Sequence, residues 1–321
     1  MPFCLGEWPN HPMPELPEAE VVARQIRARL TGATLVETWI GRADIVREGF
    51  VERGWYVGSV LTSAQRFGKS VALGFERKGE TRYIMAELGM TGLLLFPSAH
   101  SRLPQHVHAR LTFTGADESE LRYWNPRRFG RLSMLDEQGV NVYITRRFGC
   151  DPLTVGRDEF LHLVKGRSGR LKSLLMHQQL IAGIGNIYAN EILFRARLHP
   201  NAKASGLSAA KIEHLFQVTR DVLQEAIACG GSSVRDFFAP DGSEGKYKRR
   251  HLVYGKEGAP CPNCCGQVIR RLRSERSSFF CPNCQSQRRA QPSSPVKTRE
   301  SPSQGHENPQ NCATRRRPAQ P

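Results

Sequence analysis

The chain has 321 residues, 39% of them hydrophobic, enough to bury a sizeable core and divide it between two domains. Its net charge is +16, and setting aside the tail from residue 285 onward (seven Lys/Arg, two Asp/Glu, +5) leaves +11, a surplus that calls for a polyanion, most economically nucleic acid. No apolar run spans a bilayer, no basic amphipathic helix offers a membrane-binding face, and no basic-then-apolar leader marks a signal peptide, so a soluble, cytoplasmic protein is expected.

Residues 1–12 precede the run Met13-Pro14-Glu15-Leu16-Pro17-Glu18-Ala19-Glu20. A proline at a mature N-terminus carries a secondary amine that can attack carbon at the aldehyde oxidation level and leave an iminium ion, whereas a proline inside a chain is a tertiary amide and cannot. A chemical role for Pro14 therefore requires residues 1–12 to be a start-site artefact with Met13 removed, or processing that exposes Pro14. The plainer reading is that Pro14 and Pro17 open a helix whose first-turn Glu15, Glu18 and Glu20 complement the dipole.

Val21, Val22, Ile26 and Leu30 then recur at helical spacing up to Gly32. Between 33 and 136 the pattern changes to short β-branched and aromatic segments at 34–40, 56–65, 70–75, 82–88, 93–96, 107–113, 121–124 and 131–135, as in a two-layer β-sandwich. After about residue 136 the chain reads as helical, at 158–165, 170–177, 187–196 and 209–228. A glycine-bearing connection, 178–186, joins the second and third of these, a helix-turn-helix arrangement that can aim backbone N–H groups at phosphate but equally suits an ordinary helical hairpin. The polar, Gly-rich 241–246 segment reads as a mobile loop, and 285–321, almost without apolar residues, as a disordered basic tail.

Cys261, Cys264, Cys281 and Cys284 form CxxC, sixteen residues, CxxC, the spacing of a closed four-thiolate structural zinc site, while Cys4, Cys150, Cys229, Cys265 and Cys312 are scattered. Arg270, Arg271, Arg273 and Arg276 between the pairs make the hairpin a basic finger. The run Asn125-Pro126-Arg127-Arg128-Phe129-Gly130 puts arginines beside an aromatic on a short turn, a combination that can enter a duplex or simply close a β-turn over a core ring. Leu88-Gly89-Met90-Thr91-Gly92 sets Met90 on a glycine-flanked tip, although burial is the usual place for a methionine.

With Lys69, these motifs (PELPEAE, LGMTG, NPRRFG, GIGNIYANEILF at 183–194 and the four-cysteine finger) resemble, in order and spacing from Met13 to Cys284, the formamidopyrimidine-DNA glycosylase family, also called MutM. PELPE favours that branch over the related endonuclease VIII branch, which usually begins PEGPE. The resemblance implies an α+β fold: N-terminal helix and two-layer β-sandwich (13–136), helical domain with a helix-two-turn-helix (137–249), zinc finger (250–284) and tail (285–321). It implies a monomer acting on double-stranded DNA, a bifunctional glycosylase and abasic-site lyase for oxidised purines, with one structural zinc ion.

Carried over by position, Pro14 would be the nucleophile, Glu15 the proton donor and acceptor, and Lys69 a phosphate-holding group that assists strand cleavage. Asn186 and Arg276 would grip phosphates flanking the lesion; Met90, Arg127 and Phe129 would fill the space left by an everted base, with Arg127 facing the orphaned cytosine. His106 and Lys172 would add backbone contacts, and the 243–247 loop would close over the lesion. Two positions depart from the family pattern: Glu87 where His or Gln is common, which should weaken DNA binding, and Asn125 where Asp is usual. An endonuclease VIII-like preference for oxidised pyrimidines, or a non-catalytic lesion binder should the leader be retained, are the alternatives.

Overall fold

A computed structural model describes residues 13–97, 105–233, 237–264, 267–272 and 276–286. Helix α1 (Leu16–Leu30) buries the stripe Ala19, Val22, Ala23, Ile26 and Leu30 and stops at Thr31, followed by Gly32 with φ +90°. Nine strands follow: β1 (Thr34–Ile40), β2 (Val46–Glu48), β3 (Val60–Phe67), β4 (Ser70–Arg77), β5 (Glu80–Glu87), β6 (Leu93–Leu95), β7 (Val107–Thr114), β8 (Glu120–Trp124) and β9 (Arg131–Asp136). They pair in the order β2-β9-β5-β4-β3-β1-β7-β8-β6, all antiparallel except β2 with β9.

The expected two layers are thus one hydrogen-bonded sheet turned on itself. Register breaks at Leu35/Glu37 in β1 and Leu61/Ser63 in β3 sit in the middle of the strand order, where bulges bend a sheet most usefully. The two halves then face each other: Leu73, Ile84 and Met134 line the same internal void as Leu111 and Leu121, and Phe75 stacks on Phe113 with centroids 6.4 Å apart. Two segments correct the sequence reading. Tyr56 belongs to a 3-10 turn (Phe50–Tyr56), so β3 begins only at Val60, and three-residue β2 is too short to show alternation.

Helix α2 (Glu137–Arg147) was hidden by Gly139 and a sparse apolar pattern; the Asp136 carboxylate caps it by accepting from Gly139 N–H at 2.7 Å. Helices α3 (Arg157–Val164), α4 (Leu171–Leu175), α5 (Asn186–Arg195) and α6 (Ala209–Ala228) form a second core around Phe160, Leu175, Ile192, Leu215 and Leu223. Leu16, the first residue of α1, packs in this second core, whereas the rest of the helix packs in the first. Buried Arg66 clasps the same junction, its guanidinium bonding Glu20 on α1 and Asp151 ahead of α3. No helix among the described residues is long and apolar enough to cross a membrane.

Strands β10 (Arg270–Leu272) and β11 (Ser278–Phe280) form the finger hairpin, packed through Phe279 and Cys281 on Phe194 of α5. Gln285 belongs to this finger rather than to the tail. It is buried, its amide oxygen accepts from Cys281 N–H at 3.0 Å, and its amide nitrogen donates to Leu198 O at 2.8 Å. The 241–246 loop is tied to α1 by a reciprocal pair of bonds between Gln25 and Asp241, at 3.0 and 3.1 Å. Residues 1–12 and the tail from 287, with Cys265 and Arg273, lie outside the described residues.

Candidate active site

The polar groups of the interior converge where α1 meets the N-terminus of α5. Leu16 N–H donates to Gly183 O at 3.0 Å, stitching the helix start to the 178–186 connection. That connection must come very close: a Cβ on Gly183, whose φ is +88°, would lie 2.7 Å from Leu16 Cβ, and one on Gly185 would lie 2.3 Å from Glu15 Cδ and 2.7 Å from Lys69 Nζ. The sequence therefore requires glycine at both positions for Glu15 and Lys69 to meet the end of α5.

The Glu15 carboxylate fills that end. Oε2 accepts from Gly185 N–H at 2.8 Å and Tyr188 N–H at 3.3 Å, and Oε1 from Ile187 N–H at 2.9 Å, so the residue that caps α1 satisfies three donors at the start of α5. Burial nevertheless raises the Glu15 pKa, opposed by the charge of Lys69 and by the three N–H groups. Half-buried Lys69 has its pKa lowered by desolvation, with Glu15 opposing and the Arg276 charge adding to the fall. The result is a carboxyl and an ammonium side by side, each moved toward neutrality, as proton-transfer chemistry near pH 7 requires.

Pro14 is buried directly ahead of Glu15, and Met13 lines a cleft of about 390 Å³ with Lys69 and Glu87. In this chain the Pro14 nitrogen is acylated by Met13, hence without a free lone pair.

Sequence reasoning missed the support beneath Glu15. Buried Glu18 takes Glu15 N–H at 2.8 Å, Tyr188 O–H at 2.6 Å and Ser232 N–H at 2.7 Å, and burial lifts its carboxyl to about 7. On the same helix α5, Glu191 accepts the N–H groups of Leu252, Val253 and Tyr254 at 2.8–3.0 Å, and Asn190 accepts Phe279 N–H at 2.8 Å. One helix thus meets the Glu15 carboxylate at its start and holds the finger along its length. Acidic and amide residues on an otherwise apolar helix were the available signal.

The finger brings Arg276 close enough for its charge to act on Lys69, and Asn186 opens α5. Lys172 stands elsewhere than expected. It is buried, and its ammonium donates to Arg276 O (3.1 Å), Ser277 O (2.6 Å) and Ser278 Oγ (3.0 Å), making it a clamp between α4 and the finger rather than a surface cation. The four sulfurs of Cys261, Cys264, Cys281 and Cys284 lie within 4.8 Å of one another, with Cys261–Cys284 and Cys264–Cys281 both 3.7 Å apart. Tetrahedral thiolates about 2.3 Å from one metal ion are ~3.8 Å apart, so the cage fits a closed structural metal site.

Met90, Arg127, Phe129 and His106 form a second group on loops at the sheet end. The 88–92 loop abuts the 125–130 turn so closely that a Cβ on Gly89 would lie 2.5 Å from Gly130 N. Phe129 is 55% exposed, with the Arg127 guanidinium 4.9 Å from its ring centroid, and Met90 is half-buried. Exposed His106, at φ +73°, gives its carbonyl to Asn125 N–H at 3.0 Å, which joins it to the same turn. Asn125 is buried and braces the turn by donating to Tyr123 Oη (3.1 Å) and Gly130 O (3.2 Å). The Gly130 contact is one that a carboxylate could not make.

Residues 13–132 match the family model described as the formamidopyrimidine-DNA glycosylase N-terminal domain, and residues 149–238 match its H2TH domain. Formamidopyrimidine-DNA glycosylase of Solibacter usitatus is 37% identical over 275 residues, covering 85% of this chain and 99% of that protein. The Roseobacter denitrificans protein of the same name is 34% identical over 288 residues, covering 85% and 100%. Among solved structures, MutM (FPG) from Thermus thermophilus aligns with a TM-score of 0.74 at 35% identity over 85% of this chain and 98% of that one. The Lactococcus lactis Fpg in complex with DNA containing an abasic site aligns at 0.76 and 28% identity, over 85% and 100%.

Proposed function

The chain belongs to the formamidopyrimidine-DNA glycosylase family, and from that premise we propose that it is a bifunctional glycosylase and abasic-site lyase that removes oxidised purines from double-stranded DNA, working as a monomer. The observation that carries this reading is the buried Glu15 carboxylate, next in sequence to Pro14, acted on by the charge of Lys69 and fixed by the N–H groups of Gly185, Ile187 and Tyr188.

The reaction requires Pro14 as the first residue of the working polypeptide. Its nitrogen then attacks C1′ of the everted nucleotide, the glycosidic bond breaks, and the base departs with the bonding pair and a proton. Glu15, its pKa raised, gives a proton to the ring oxygen as the sugar opens to an iminium ion. The iminium acidifies C2′, loss of that proton expels the 3′ phosphate, and a second elimination expels the 5′ phosphate. Hydrolysis of the iminium frees the amine. Lys69, its pKa lowered by burial, assists the eliminations and holds a phosphate.

Everting a base costs a few kcal/mol of unstacking. Exposed Phe129, stiffened by Arg127, together with Met90 supports insertion into the vacated stack, and Asn186 with Arg276 supports a grip on the flanking backbone. Cys261, Cys264, Cys281 and Cys284 would hold a zinc ion with all four positions filled by thiolate, so its part would be to hold the finger rather than to activate water. Cleavage of an 8-oxoguanine:C duplex by protein beginning at Pro14, set against a thymine-glycol duplex, tests the reading: preference for 8-oxoguanine supports it, and preference for thymine glycol overturns the purine assignment.

A further inference from the structure

Glu87 is the charge in the wrong place for a DNA-binding face, and its surroundings give it a use. It ends β5, paired across the sheet with Ser70, next to Lys69, on one side and with Arg131 on the other. Its backbone carbonyl accepts Tyr123 O–H at 2.7 Å and would lie 2.1 Å from a Cβ on Gly130, so this strand end is fixed between the chemical centre and the wedge loops.

The carboxylate does not stand alone. Oε1 accepts Tyr143 O–H at 2.9 Å and lies 3.1 Å from the Arg147 guanidinium on α2 and 3.4 Å from Arg47 on β2, while Arg47 also reaches Oε2 at 3.4 Å. The Glu87 side chain is 18% exposed against 35% for Arg147 and 44% for Arg47, so both arginines lie nearer solvent than the anion that joins them. Arg147 is steadied by the Tyr143 ring, 4.4 Å from its centroid, and faces the cleft shared with Lys69, Arg146 and Gln178.

Carboxylate and phosphate oxygens present guanidinium with the same forked geometry. We propose that Glu87 is a built-in stand-in for a DNA phosphate: it holds Arg47 and Arg147 apart and aimed in the free protein, and a backbone phosphate beside the lesion takes both guanidiniums over on binding, leaving Glu87 to Tyr143. This rests on the duplex-binding reading. It assigns two further phosphate contacts, Arg47 and Arg147, and makes Glu87 an attenuator of affinity rather than a mere defect.

The test is a methylphosphonate scan of a duplex carrying an uncleavable tetrahydrofuran site, with affinity measured for wild type, Arg147→Gln, Arg47→Gln and Glu87→Gln. One linkage flanking the lesion should weaken wild-type binding about tenfold when neutralised, and each arginine variant should weaken binding to the all-phosphate duplex similarly while losing little more at that linkage, since the two partners of one contact are not additive. Glu87→Gln should tighten binding to the all-phosphate duplex several-fold and enlarge the penalty at that linkage. Penalties that multiply at every linkage in both arginine variants would overturn the proposal. Failure of the wild type to bind any duplex would instead reject the DNA reading beneath it. Arg47→Gln, on the short edge strand β2, keeps the test open if Arg147→Gln misfolds.

Discussion

The centre around Glu15 and the loops carrying Phe129 are built on opposite physical plans. At Glu15 a buried carboxylate accepts three backbone donors, rests on a second buried carboxylate and leaves no room for a Cβ at Gly185. At Phe129 a large apolar ring stands 55% exposed on a turn whose bracing, through Asn125, lies underneath it. The first region ties chemistry to folding, so that damage to one damages both. The second keeps its aromatic ring outside the fold, where it can leave solvent for a partner at no cost to stability.

That contrast can be broken in several ways, beginning with the largest effect. Cys281→Ser should release the metal and undock the finger from α5, because a structural four-thiolate site contributes on the order of 10 kcal/mol to its own folding. Metal content should fall from one ion per chain to none, with duplex affinity falling alongside it; unchanged duplex binding by the metal-free protein would detach the finger from the site. Glu15→Gln should lower base release by at least about a hundredfold and also lower the melting temperature, since α5 loses its anionic cap. A variant that is slow yet equally stable would separate the chemistry from the fold. Gly185→Ala should cost about 2–4 kcal/mol through the clash with Glu15, measured by denaturant unfolding.

Glu18 sharpens the comparison through pH. Burial raises its pKa from 4.5 to about 7, so between those values the folded protein holds a proton that the unfolded chain has lost, and stability falls as pH rises through the window. Glu18→Gln should flatten that slope, which amounts to about 3 kcal/mol across melts taken from pH 4.5 to 7.5. At the other region, Phe129→Ala should change stability by no more than about 0.5 kcal/mol while reducing lesion binding and eversion, read by fluorescence of a base analogue. A large loss of stability there would mean that the ring belongs to the core after all.

The sequence was most legible where one residue type has one use. The cysteine spacing announced the metal cage, the 209–228 periodicity matches α6 residue for residue, and the glycine-bearing 178–186 connection does join two helices, α4 and α5. It was least legible where a role depends on what lies opposite. Lys172 carried the charge of a phosphate ligand, yet its burial against three acceptors of the finger was invisible locally. Glu18 looked like a dipole-complementing first-turn acid, and only the fold brings Tyr188 and Ser232 to it. Glu87 looked like a liability because its arginine partners lie on β2 and on a helix, α2, whose weak pattern hid it.

Everything in the proposed chemistry passes through the nitrogen of Pro14, so its capture is the most direct test. Protein beginning at Pro14 and protein retaining residues 1–13 should each be incubated with an 8-oxoguanine:C duplex and borohydride, and the adducts mapped by mass spectrometry. The account predicts a stable cross-link at Pro14 in the first and none in the second. An equal cross-link from both, or one mapped to Lys69, would contradict it.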